Sequence, residues 1–120
     1  MKEAYVTFET AKLLKEKGFD WFTFYSYEVY DGSARLMVTN GDDMGFPLFP
    51  RPTQQMAMRW LREERGIHIY PIPVKGVNYV VSVYVEKGNK TYDRILSRSG
   101  RNAYEDAIEA ALKHCLTNLI

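Results

Sequence analysis

The chain has 120 residues, of which 46% are apolar and 26% charged; this is the composition of one folded domain and excludes both a disordered chain and a membrane bundle. Sixteen basic against 15 acidic side chains leave a net charge of +1, so bulk charge selects no partner. A single cysteine, Cys115, excludes an internal disulfide framework and cysteine-rich zinc sites, and the opening Met1-Lys2-Glu3-Ala4-Tyr5 lacks a hydrophobic signal core, which makes a soluble cytoplasmic protein the expectation.

The first periodic segment runs from Thr7 to Lys17. Phe8, Ala11, Leu13 and Leu14 make an apolar stripe, while Glu9, Lys12 and Glu16 share another face, so the spacing predicts a helix capped by Thr7 and stopped by Gly18. From Trp21 to Thr39 the period changes to two: a β-prone run through Val29, a tight turn at Asp31-Gly32, then Ala34, Leu36 and Val38 alternating with Arg35, Met37 and Thr39. Asn40 to Asp43 read as a polar loop, and Phe46 to Pro52 as an extended, proline-punctuated connector whose two phenylalanines tuck against the core.

A second helix is expected from just after Thr53 to Gly66, burying Ala57, Trp60 and Leu61 with Met56 alongside, and carrying Arg59, Arg62 and Arg65 on the opposite side. Ile67 to Ile72 reads as a short strand, whose Pro71 and Pro73 argue for an edge or a break. Val77, Tyr79, Val81, Val83 and Val85 form the inward face of a longer strand, and Gly88-Asn89 turns it into another at Lys90–Leu96. The last helix has a capping pair, Asn102 and Glu105, and one continuous face of Tyr104, Ala107, Ile108, Ala111, Leu112, Cys115, Leu116 and Leu119. The expected architecture is a single α+β domain over residues 1–120, in the order α-β-β-α-β-β-β-α, with an antiparallel sheet packed against the helices.

Catalytic constellations are thin. A nucleophile needs a base within hydrogen-bond reach, and the only histidines are His68 and His114. Cys115 lies inside the apolar stripe of the last helix with His114 about 100° away on the wheel, and His68 reads as a sheet-face residue. Asp31, Asp42 and Asp43 read as turn residues, without the spacing of a calcium loop, and no glycine-rich phosphate fingerprint is present. The expectation is therefore no enzyme, no metal and no cofactor.

Charge is unevenly placed. Residues 51–101 hold 10 basic and 4 acidic side chains, including Arg59, Arg62 and Arg65 on the second helix and Arg94, Arg98 and Arg101 between the last strand and the last helix. Such a surface suits a phosphate backbone, but a solvated face with a basic loop is the plainer reading. Tyr84 lies on the sheet face opposite the valines, where an aromatic ring stacks bases, pairs across strands or forms part of a dimer patch; Tyr70 and Tyr92 are candidates to join it.

Two resemblances add to this reading. The order helix-strand-strand-strand-helix from Thr53 to Ile120 is similar to that of double-stranded-RNA-binding-like domains and of HicB-type antitoxins, and Tyr104-Glu105-Asp106-Ala107 resembles the start of the closing HicB helix. Arg101 is followed by Glu105, Asp106 and Glu109 where the RNA-binding branch carries lysines, so the resemblance implies a shape and not an activity. The segments Ala4–Asp20, Pro52–Glu63 and Tyr104–Ile120 resemble a family of short uncharacterised proteins of Bacteroides-type gut bacteria and their phages, which implies a small intracellular accessory protein of phage or mobile-element origin. The leading functional expectation is a non-enzymatic binding module for a protein partner or a second copy; the alternative is nucleic-acid binding through Arg59, Arg62, Arg65, Arg94, Arg98 and Arg101.

Overall fold

In the computed structural model of the protein, which describes residues 4–30, 32–39, 48–73, 79–88, 90–95 and 103–120, local sequence signals set most element ends. Thr7 accepts the Thr10 amide through its hydroxyl and opens α1 (Phe8–Glu16), which buries Thr10, Ala11 and Leu14. Strands β1 (Tyr25–Tyr30) and β2 (Ser33–Val38) form a hairpin with a two-residue connection whose second residue, Gly32, has φ +77°. The segment expected as a connector instead contains a short strand, β3 (Leu48–Pro50), paired with the free side of β1. Three residues ending in proline carry almost no periodic signal; β3 is held by its neighbours rather than by its own propensity. Phe49 lies edge-on to Phe8 of α1 at 5.4 Å, and Lys15 Nζ donates to Leu48 O at 2.6 Å.

Thr53 caps α2 (Gln54–Arg65) by accepting the Met56 amide, and Gly66 ends it in the left-handed conformation at φ +64°. Both ends fall where the sequence places them. A second antiparallel sheet follows: β4 (Ile67–Pro73) at one edge, β5 (Tyr79–Val85) in the centre and β6 (Lys90–Ile95) at the other edge. α3 (Ala103–Asn118) closes the chain; its expected cap Asn102 lies outside the described residues. The class is α+β, with the strands divided between two three-stranded sheets, β2-β1-β3 and β4-β5-β6, instead of joined in one.

The core is organised around α3. Ala107, Ile108, Ala111, Leu112, Cys115 and Leu116 are each 0% exposed and pack with Ala11 and Leu14 of α1, Ala57, Trp60 and Leu61 of α2, and Ile67, Val81 and Val83 of the second sheet. The valine face read from the sequence is thus the face toward α3, with Val77 outside the described residues. The first sheet is tied on by the N-terminal segment: Val6 N donates to Pro52 O at 3.1 Å, Gln54 N to Ala4 O at 2.8 Å, and the Tyr27 hydroxyl to Val6 O at 2.8 Å.

One polar cluster joins the three helices. Glu109 of α3 accepts the Thr7 hydroxyl at 2.9 Å, the Thr10 hydroxyl, and the Gln54 amide at 3.2 Å, while Gln54 also donates to Glu105 O at 3.0 Å. Thr10 and Gln54 are buried, and among the described residues no buried side-chain polar atom lacks a partner.

Candidate functional site

The arginines of α2 are largely engaged within the molecule. Arg59 pairs with Glu63 one turn on, at 3.1 Å, and its guanidinium lies 5.9 Å from the Trp21 ring centre. Arg65 donates to Lys17 O and stands 5.5 Å from the Trp60 ring centre, fastening the end of α2 to the end of α1. Arg62 is exposed and has no ion pair or hydrogen bond among the described residues. Arg51, which precedes α2, stacks on Tyr5 at 4.1 Å and donates to the Tyr27 hydroxyl at 3.2 Å. Exposed Glu63 and Glu64 interrupt the row, so the outer face of α2 alternates in sign. Arg94 sits in β6 opposite Val81 in register, and Arg98 and Arg101 lie outside the described residues. Periodicity located these arginines; it carries no signal for the rings and carbonyls that three of them reach.

Tyr84 stands on the outer face of the second sheet, as expected. It pairs across strands with His68, their rings 5.9 Å apart, and His68 stacks on Tyr70 at 6.1 Å and 11°. Tyr70 and Ile72 are half exposed on this face, at 51% and 48%. His68 Nε2 lies 2.9 Å from Glu86 Oε1, a histidine–carboxylate contact of the kind a general base uses. The Glu86 side chain is 60% exposed and that of His68 19%, so the carboxylate end of the pair meets water directly. Tyr92 belongs to β6, where its backbone registers with Val83.

Cys115 offers no nucleophile. Its side chain is fully buried in α3, and that burial pushes the thiol up to about 12, so the thiolate is absent near neutral pH. Among the described residues, no three His, Cys, Asp or Glu side chains are grouped to hold a metal ion; Asp31, Asp42 and Asp43 lie outside them. No helix among the described residues is long and apolar enough to cross a membrane.

The first sheet supplies what sequence reasoning missed. Phe22, Phe24, Tyr25, Leu36 and Val38 are 56%, 75%, 41%, 55% and 60% exposed, and all five belong to the β1–β2 hairpin or its approach. Phe22 and Phe24 make an edge contact at 5.4 Å; Tyr25 and Tyr27 register with Val38 and Leu36. On the alternate face, Glu28 is only 2% exposed and its Oε1 receives Arg35 Nε at 2.9 Å and Nη2 at 2.7 Å. Ser26 Oγ lies 2.9 Å from Thr39 Oγ1. The hairpin therefore buries paired polar groups and presents large apolar side chains to solvent. The alternation Ala34-Leu36-Val38 was visible in the sequence, but alternation alone does not say which face is covered.

No protein-family model matches the chain, and no curated protein or solved structure matches it.

Proposed function

We propose that the protein is a non-enzymatic binding module that recognises a protein surface through the apolar hairpin β1–β2. The observation that carries this reading is the concentration of Phe22, Phe24, Tyr25, Leu36 and Val38 at 41–75% exposure around one hairpin. Scattered exposed leucines are ordinary; here Tyr25, Leu36 and Val38 share one face of the hairpin while Phe22 and Phe24 pack on each other at its approach, a concentration of the kind that marks an interaction site. The buried, raised thiol of Cys115 and the open His68–Glu86 pair favour a module without catalysis. The resemblance to short proteins of gut bacteria and their phages supports a cytoplasmic accessory role of phage or mobile-element origin.

Nucleic-acid binding through the arginines of residues 51–101 ranks below this. Arg59, Arg65 and Arg51 each hold an internal contact that a phosphate would have to replace, and acidic neighbours break the charge of α2. The two readings separate by salt. Light scattering with a mixed-sequence DNA duplex at about 50 and 500 mM salt should show no complex at either. A complex formed at the lower salt and lost at the higher would overturn the protein-surface reading.

A further inference from the structure

The free side of β2 identifies the partner. This inference rests on the binding-module reading and deepens it. Arg51 N donates to Tyr25 O at 3.0 Å on the β3 side of β1, and Thr39 N donates to Phe24 O at 2.9 Å on the β2 side. Odd residues of β1 therefore bond toward β3 and even ones toward β2. By register, Ser33, Arg35 and Met37 turn their backbone groups inward to Tyr30, Glu28 and Ser26. Ala34, Leu36 and Val38 direct N–H and C=O outward, and among the described residues nothing bonds to them.

The other sheet edges carry the usual protections. β4 holds Pro71 and Pro73; β3 is three residues long, ends in Pro50 and has Lys15 on a carbonyl; β6 contains Lys90, Asp93 and Arg94. β2, Ser-Ala-Arg-Leu-Met-Val, has neither proline nor bulge, and its one charge is already paired with Glu28 of the same sheet.

We propose that β2 pairs with β2 of a second copy of this chain, antiparallel about a twofold axis at Leu36, so that the two β2-β1-β3 sheets become one. This register sets Leu36 opposite Leu36, Ala34 opposite Val38 and Arg35 opposite Met37. Ala34, Leu36 and Val38, the residues with outward backbone groups, are then the ones that face each other as hydrogen-bonded pairs, and each pair exchanges both N–H···O bonds. Side-chain size also matches, small Ala34 beside Val38, in a row that continues from Tyr25. Centring on Arg35 instead would set two guanidinium groups opposite each other, which disfavours that register. Hydrogen-bond parity allows any axis through a β2 residue and charge disfavours the one at Arg35; the axis at Leu36 is the one that pairs all three outward residues, Ala34, Leu36 and Val38, within the strand.

The test is the solution mass of the full chain by light scattering or sedimentation at high micromolar concentration. The wild type should have twice the chain mass. Leu36→Lys and Leu36→Glu, both at a half-exposed site, should each fall to the single-chain mass with an unchanged circular dichroism spectrum, because like charges then meet at the axis. Mixing the two variants should restore the doubled mass, since position 36 faces position 36. Val38→Lys, as a second variant, should weaken the dimer without such rescue by Leu36→Glu. A wild-type monomer, a Leu36→Lys dimer, or failure of the mixture to reassociate would each overturn the proposal. A wild-type monomer that ignores DNA overturns the second-copy inference alone; one that gains mass with the duplex at low salt overturns the binding-module reading as well.

Discussion

Replacing Glu109 by alanine should be among the most damaging changes to a side chain that is not itself fully buried. The carboxylate accepts from Thr7 and Thr10 at the start of α1 and from Gln54 at the start of α2. The Thr10 hydroxyl is fully buried and would lose its charged acceptor, at a cost of about 1–3 kcal/mol, with only Thr7 Oγ at 3.3 Å as a poorer substitute. Gln54 keeps Glu105 O and loses one bond, about 0.5–1.5 kcal/mol, while exposed Thr7 regains water. The expected loss is about 2–4 kcal/mol against a total of about 5–15, or roughly 8–16 °C in Tm for a chain of this size. Urea and thermal unfolding of wild type, Thr10→Val, Glu109→Ala and the double variant close a cycle. Removing both partners should cost about 1–2 kcal/mol less than the two single losses combined. Additivity within about 0.5 kcal/mol would refute the reasoning, because the cluster would then be three neighbours and not one network.

Leu112→Asp should abolish folding, since an unpaired carboxylate in the centre of the α3 face costs several kcal/mol, whereas Leu112→Met should lose under about 1.5; a folded Leu112→Asp by circular dichroism would contradict the assigned face. Stability should fall as pH rises from about 9 toward 12, because the Cys115 thiol ionises earlier in the unfolded chain than in the folded one, where burial raises it. The unfolded state then binds fewer protons, which gives a slope of up to about 1.4 kcal/mol per pH unit; Cys115→Ala should remove that increment from the urea-derived pH profile, and an identical profile would count against it. Gly66→Ala should cost about 1–2 kcal/mol in urea unfolding, because φ is +64° and the added carbon would lie 2.9 Å from Glu86 Oε2. No loss would show that α2 ends without needing a left-handed residue.

What the sequence made legible was local. Thr53 and Gly66 bracket α2 because a cap hydroxyl and a left-handed glycine act within a few residues of themselves, and the Tyr104–Leu119 stripe is one face because helical periodicity is local too. β3 escaped because its cause lies elsewhere: Leu48–Pro50 is a strand by virtue of β1 beside it and Phe8 and Lys15 of α1 against it. Division into two sheets is likewise a choice of strand partners that alternation does not encode. The arginines show the same limit for the site. Their spacing put Arg59, Arg62 and Arg65 on one side of α2, but Arg65 meets Lys17 O, 48 residues away in sequence, through tertiary packing. The exposed hairpin was missed because apolar alternation is normally read as a buried face; here Tyr27 and Phe49 of that face pack on Phe8 of α1, while Leu36 and Val38 on the outer strand stay exposed.

Amide hydrogen exchange along β2 tests the central claim most directly. Met37 N–H bonds to β1 and should be protected in any folded state, whereas Leu36 N–H points away from the sheet. The account predicts that the amides of Ala34, Leu36 and Val38 become protected as protein concentration rises, and lose that protection in Leu36→Lys. Free exchange of these three amides at high concentration, with Met37 protected, would contradict it.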